Sequence, residues 1–309
     1  VAIGFACLEV VLDRGQRDDW LESRFISTFL LIAVTALVVA IFWELRQPDP
    51  VVELRLLGER NFAISNCFYF LFGFVLFGST VLIPQMLQQL YGYTATDAGL
   101  VLGPGALVIV FMAPIIVKLL PKVGAKVLIV TGFSILALSM LHFSSFDLTT
   151  DYRHEVWARA LQGLGLSFLF VPTSQLAYSY LPREKNNKAS SLTNLFRNQG
   201  GSFGIAFVTS MLERRTQFHQ SVLVGHVSGY EPGVASFLSR TTQTFIAAGA
   251  SYSDASNKAL GLLSKLLTEQ AAMLAFLDCF RLLGYAALLG IPLALVIRKF
   301  RVGGATGGH

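Results

Sequence analysis

Amides and aromatic rings crowd stretches of this chain that are otherwise apolar, and the chemistry they suit is reversible solute binding. Gln85, Gln88 and Gln89 follow Pro84; Gln162, Ser167, Thr173, Ser174 and Gln175 punctuate 160–181; Asn194, Arg197, Asn198, Gln199 and Ser202 make the first half of 189–212 polar. A helix facing lipid would not tolerate so many amides, so these faces meet protein or a water-filled cavity. Mixed with Phe68, Tyr69, Phe72, Phe77, Phe168, Phe170 and Tyr178, they fit an aromatic cavity for bulky amphipathic solutes. The plainer alternative is interhelical hydrogen bonding, worth about 0.6 kcal/mol per contact. Gly200 and Gly204 form a GxxxG that lets helices approach closely. Asp278 and Arg281 are i,i+3 neighbours that can pair on one helix face, either as an interfacial anchor or in gating or proton coupling.

Bond-breaking chemistry has no constellation here. His142, His154, His219, His226 and His309 are scattered without a metal-ligand spacing, and there is no Walker sequence, GxSxG or paired-cysteine motif. No metal, cofactor or catalytic residue is expected, and the chain does not read as an enzyme. Cys7, Cys67 and Cys279 are odd in number, far apart and set in apolar stretches, which argues for small core residues and against a disulfide framework.

The elements that must carry these residues are long and apolar. Phe25–Trp43, Phe62–Ile83, Ala98–Val117, Val127–Phe146 and Ala160–Leu181 hold no formal charge; Ala189–Leu212 holds only Arg197, and Ala271–Ile297 only Asp278 and Arg281. About 20 apolar residues cross a hydrocarbon core of roughly 30 Å. Seven such stretches in series cannot be packed inside a soluble protein of this size. Composition agrees, with 53% hydrophobic residues, 14% charged and a mean hydropathy of +0.58. The fold class is an all-α polytopic membrane protein, its first partner the lipid bilayer. A net charge of +5 and a pI near 9.2 do not point to nucleic acid, because the basic residues sit in short loops. Pro104, Pro114, Pro172 and Pro292 mark places where spans can bend, and Gly99, Gly103 and Gly105 make one helix small-faced around Pro104. The chain opens inside an apolar run, Val1–Leu12, too short to span and without signal-peptide character. That run reads as the tail of an eighth span whose upstream part is missing.

Lysine and arginine favour cytoplasmic loops. With Phe25–Trp43 running inward, 44–61, 118–126, 182–188 and the tail after Ile297 carry twelve, against five in the short segments opposite. This predicts a multi-pass protein of the inner (plasma) membrane with a cytoplasmic C-terminus. The 213–270 loop is the one substantial extramembrane element. Glu213–Val224 extends the preceding span, Tyr230-Glu231-Pro232-Gly233 is a turn signal, and Asp254–Leu267 has apolar residues at helical spacing. It reads as a solvated or interfacial helical hairpin, with a docking surface for an extracytoplasmic partner as the alternative. Counting about 20 residues back from Ile297 brings the membrane edge close to Asp278.

Several segments match a known pattern, in order along the chain. They are Leu12-Asp13-Arg14-Gly15-Gln16 with Asp19-Trp20; Trp43-Glu44; Pro50-Val51-Val52-Glu53-Leu54; and Arg60-Asn61-Phe62. Next come Leu82-Ile83-Pro84-Gln85-Met86-Leu87-Gln88 and Tyr91-Gly92-Tyr93-Thr94-Ala95, with Ala98-Gly99 following. The last are Ala189-Ser190-Ser191-Leu192-Thr193-Asn194-Leu195-Phe196-Arg197, Gly200-Gly201-Ser202-Phe203-Gly204, and Asp278 with Phe280-Arg281. Jointly they resemble the fourteen-span drug:proton antiporters of the major facilitator superfamily (EmrB/QacA type).

The resemblance implies a C-terminal six-helix lobe over 62–301, preceded at 1–61 by one truncated and one complete extra central helix with their cytoplasmic connection, and followed by a tail, 302–309. The lobe would be a pair of three-helix repeats. Its first and fourth helices would face the cavity, carrying Gln85, Gln88 and Gln162, Gln175. Two departures matter. The loop Lys118–Lys126 keeps the basic, glycine-containing character of the superfamily's inter-helix motif without its acidic residue. The antiporter motif, and the acidic residues credited with proton coupling, would lie in an N-terminal lobe that these residues do not include.

The resulting expectation is the C-terminal half of a secondary active transporter, proton-coupled multidrug efflux by alternating access. Solute contact is assigned to Phe72, Gln85, Gln88, Gln162, Phe168, Gln175 and Arg197, and a gating or structural ion pair to Asp278 and Arg281. Its partners would be the missing lobe and an amphipathic small molecule, with a periplasmic adaptor protein as a candidate. The alternatives are export of an endogenous amphipathic metabolite, and a non-transporting membrane scaffold half.

Overall fold

A computed structural model of the chain describes residues 1–298 apart from 19, 49, 51 and 228–230. Tyr230 of the turn signal, Lys299 and Arg301 of the basic tail, and the tail 302–309 lie outside the described residues. Among the described residues the regular structure is helical: α1 (Ala2–Arg14), α2 (Arg24–Arg46), α3 (Arg60–Leu90), α4 (Ala95–Val123), α5 (Ala125–Phe143), α6 (Tyr152–Tyr178), α7 (Asn186–His226), α8 (Pro232–Ala247), α9 (Tyr252–Leu288) and α10 (Gly290–Leu295), with short 3-10 turns at Trp20–Glu22, Leu54–Gly58 and Arg183–Lys185.

Helix boundaries follow local chemistry. Glu59 starts α3 by accepting the Phe62 amide at 2.6 Å, and Thr94 with Asp97 closes a reciprocal capping box on α4. Gly92 and Gly124, both at positive φ, make the sharp turns before α4 and between α4 and α5. Pro84, Pro104, Pro114 and Pro172 sit within continuous helices. Pro292 is different: it removes the amide that would bond to Leu288, and α9 ends at Leu288.

Among the described residues five helices are long and apolar enough to cross a membrane: α2, α3, α4, α5, and α9 continued into α10. The spans expected at Ala160–Leu181 and Ala189–Leu212 lie in α6 and α7, which fall outside that set. Their amides and hydroxyls lower the hydropathy, and both pack against other helices of the bundle, α6 against α3, α4 and α5, and α7 against α3 and α9. Five apolar spans and this interior make the chain a multi-pass membrane protein of all-α fold.

The core is a continuous apolar cluster of α3, α5, α6 and α9 side chains. Phe143 stacks on Phe280 at 5.0 Å, and Phe68 tilts against Phe133 at 5.4 Å. α3 and α7 meet backbone to backbone: a Cβ on Gly200 or Gly204 would fall on the carbonyl oxygens of Phe70 and Phe74, and one on Gly73 on that of Arg197. α1 and α2 pair with each other and touch the bundle through Ser202, whose hydroxyl donates to Glu9 at 2.6 Å.

The 213–270 segment is helical almost throughout. α7 has 41 residues, about 60 Å, roughly twice the hydrocarbon thickness. α8 packs on the first half of α9. The Asp254–Leu267 helix is the start of α9 itself, capped by Ser251, and runs unbroken into the last expected span.

Candidate functional site

Polar side chains inside this bundle gather in three places. The first lies between α3 and α6. Gln162 is fully buried; its amide donates to Ser79 at 2.6 Å and its carbonyl oxygen accepts from Arg159 Nη1. Arg159 Nη2 also reaches Thr80 at 3.4 Å. These contacts tie the two helices through a layer surrounded by apolar residues, where a hydrogen bond left unmade is expensive. Close by, Glu155 is 0% exposed and neither of its carboxylate oxygens has a partner.

The second place joins α7 to α9. Asp278 accepts from Arg215 Nε at 2.7 Å and lies 2.8 Å from His219 Nε2, while Arg281 Nη1 stands 3.6 Å away. The i,i+3 pair read from the sequence is therefore present but is the longest of three contacts. The principal partners come from the helical extension of α7.

The third is a cavity of about 440 Å³ between α3, α7 and α9, lined by Gln85, Gln89, Thr209, Glu213, Thr216 and Gln217 among others. Its wall mixes amides and hydroxyls with Leu212 and Phe276, the composition that suits an amphipathic molecule. A smaller apolar cavity, about 200 Å³, separates α1 and α2 from α7, with Phe5, Leu37, Leu195 and Phe196 in its wall and Glu44 at its edge.

The seven residues assigned to solute contact do not converge on one pocket. Gln85 lines the larger cavity. Gln88 is exposed and donates to the Pro84 carbonyl at 3.1 Å, and Gln175 is exposed on α6. Phe72 reaches no solvent, packed on Tyr69 at 5.0 Å and Phe170 at 4.9 Å. Gln162 belongs to the buried layer with Ser79 and Arg159. Phe168 is half-buried against the Ile116, Leu120, Ala125 and Leu128 cluster. Arg197 is half-buried, near enough to Tyr69 for their charges to interact. Sequence reading missed Glu155, Arg159 and the Arg215–His219 pair. The signal available for Arg159 was its i,i+3 spacing to Gln162; Ser79 and Thr80 carried none.

Outside the spans, one electrostatic joint stands out. Burial pushes the Glu53 carboxyl up, but the ammonium groups of Lys185 and Lys188, at 3.3 and 3.4 Å, outweigh burial and hold it below the ordinary carboxylate value. It ties the α2–α3 connection to the start of α7. At the other end of the bundle the Tyr91 hydroxyl donates to the Asp147 carbonyl at 2.5 Å, and burial pushes its phenol up to about 12.

Comparison with known proteins fits this arrangement. The profile of the Major Facilitator Superfamily matches residues 14–205. The multidrug export protein EmrB of Escherichia coli (strain K12) is 34% identical over 241 residues, 78% of this chain and 47% of that protein. The fatty acid resistance protein FarB of Neisseria gonorrhoeae is 28% identical over 308 residues, 99% of this chain and 59% of its own length. The colistin resistance protein EmrB of Acinetobacter baumannii is 29% identical over 212 residues, 69% of this chain and 41% of that protein. The chain thus spans about half the length of the relatives it matches. With an all-helical membrane bundle, a superfamily profile over more than half its residues and EmrB at 34% identity, the chain belongs to the Major Facilitator Superfamily, in the branch of the EmrB-type exporters.

Proposed function

We propose that this chain is the C-terminal portion of a secondary transporter that exports amphipathic small molecules, by proton-coupled multidrug efflux with alternating access. The observation that carries the reading is the 34% identity to a multidrug exporter across most of the chain. The amide-and-hydroxyl cavity at Gln85 supports it, because such a wall accepts many amphipaths without demanding one shape. In this reading 62–301 is the six-helix lobe, 1–61 holds the extra central helices, and the C-terminus faces the cytoplasm of a cell whose inner membrane holds the protein. The N-terminal lobe completes the cavity, and the α7–α8–α9 projection is where a periplasmic adaptor would dock. Gln85, Gln88, Gln175 and Arg197 stay assigned to solute contact. Phe72, Gln162 and Phe168 reach solute only in a conformation that opens the packing around them.

The test uses the complete gene product in inverted vesicles with a lipophilic cationic dye. Accumulation that follows an imposed proton gradient, collapses with an uncoupler and weakens in Gln85→Ala/Gln175→Ala is the expected result. No accumulation over a broad panel of cations would remove the multidrug reading. The alternative, export of an endogenous amphipath such as a fatty acid, is favoured by the resistance name of the Neisseria relative, and transport of a labelled long-chain acid would then replace dye uptake.

A further inference from the structure

Glu155 and Arg159 sit one turn apart at the head of α6, both buried, and do not pair. A carboxylate and a guanidinium at i,i+4 on one helix face ordinarily meet. Here Arg159 turns away: Nη1 goes to Gln162, Nη2 to Thr80, and its Nε is buried without an acceptor. Both oxygens of Glu155 are buried without a donor. An ionised carboxyl costs so much in such a place that the group holds a proton instead. One buried acid and one buried N–H, adjacent on the same helix and each lacking a partner, are two halves of an ion pair that has not formed.

We propose that Glu155 is a proton-binding site and that its proton sets a latch between α3 and α6. With the carboxyl protonated, Arg159 is free to clamp Gln162 and Thr80, and Gln162 in turn holds Ser79, the arrangement found here. When the proton leaves to water at this end of the bundle, the carboxylate captures Arg159 through its open Nε–H. The guanidinium is then drawn off Thr80 and Gln162, and of this polar layer only the Gln162–Ser79 hydrogen bond still joins α3 to α6. The latch does not depend on the export reading; only its use in transport rests on it.

Other titratable groups surround this end of the bundle. Tyr91 and Tyr93, between α3 and α4, lie close enough to feel the charge of Glu155. The same two rings also feel Asp147 and Asp151 from the α5–α6 connection and Asp97 from the head of α4. On α6 itself Arg153 and His154 are exposed, as is His142 at the end of α5, so their charges are screened by solvent.

The experiment is infrared difference spectroscopy of the complete, purified gene product in nanodiscs, titrated from neutral to alkaline pH. Wild type should show a protonated-carboxyl C=O band that disappears on alkalinisation, and Glu155→Gln should lack it. Arg159→Gln should move the midpoint to higher pH, because the ionised form loses its partner. Should Glu155→Gln not yield a monodisperse protein, Glu155→Asp decides, with a displaced band and midpoint. An unchanged band in Glu155→Gln, or no displacement in Glu155→Asp, overturns the proposal, and so does an Arg159→Gln midpoint equal to wild type. If the band titrates as expected while dye transport fails, the proton site stands and the multidrug reading falls.

Discussion

Asp278 is the hub of the α7–α9 joint, with its side chain 13% exposed while that of Arg281 is 51% exposed. A charged hydrogen bond of this partly buried kind contributes about 1.5–3 kcal/mol, whereas an exposed ion pair contributes about 0–1. Asp278→Asn should therefore lower the melting temperature of the purified protein clearly, and Arg281→Ala should barely move it. Equal effects would mean that the longer i,i+3 contact matters as much as Arg215 and His219. Glu53 carries a second residue-scale prediction. Its carboxyl is held below the ordinary value against the opposing effect of burial, so its contribution is complete above the ordinary carboxylate pKa. That contribution is lost as pH falls through the lowered value. Glu53→Gln should destabilise at neutral pH and make little difference in strongly acidic buffer. A pH-independent deficit in thermal melts would show that shape, not charge, is what the substitution removes.

Among the elements, α3 and α7 form a seam whose packing tolerates little. The Gly200 and Gly204 positions face backbone carbonyls rather than side-chain ends, so a neighbour cannot yield by changing rotamer. Gly204→Leu should cost at least the upper part of the about 1–3 kcal/mol typical of overpacking, and Gly99→Leu, where nothing lies within 4 Å, close to nothing. Thermal melts of the two variants, measured side by side in one detergent, make the comparison; equal losses would contradict a backbone-to-backbone seam. This seam shows what a sequence can and cannot carry. The GxxxG spacing was legible because it lies on one helix; the opposing Gly73 was not, since nothing local distinguishes it from any other glycine. The same holds for the polar sites. Asp278 and Arg281 share a helix turn and were readable as a pair, but Arg215 and His219 come from a helix about 60 residues earlier. The amides of α6 were readable as non-lipid-facing, yet only the fold decides that Gln162 is tied to Ser79 while Gln175 is exposed. The extension of α7 over Glu213–Val224 was legible, while the continuity of α9 was under-read for a physical reason. The stretch that joins α9 to its N-terminal extension, with Lys265, Thr268, Glu269 and Gln270, is polar, and hydropathy marks where a helix leaves lipid, not where it ends.

For the molecule as a whole, the two ends of the bundle differ in charge, and that difference is the basis of the proposed orientation. Tyr91–Asp147 and Asp278–Arg215 place the α3–α4 and α5–α6 connections and the α7–α8–α9 projection at one end. Asn61 with Arg298, and Lys126 with the Leu295 carbonyl at 3.0 Å, close the other. That second end carries Lys118, Lys122, Lys185 and Lys188, while residues 84–97 hold no lysine or arginine. A cluster of fixed positive charge resists translocation, so the proposed orientation keeps the lysine-rich end on the cytoplasmic side. The large exposed apolar faces of α2 and α4, where Phe42, Trp43, Val110 and Phe111 are each more than 60% exposed, suit contact with the hydrocarbon. Cysteine accessibility tests the orientation directly. In a background with Cys7, Cys67 and Cys279 replaced, Thr149→Cys and Gln243→Cys should react with a membrane-impermeant maleimide on spheroplasts. Lys122→Cys should react only after the membrane is opened. The reverse labelling pattern would invert the protein, place the α7–α8–α9 projection in the cytoplasm and remove it as a docking surface for any periplasmic partner.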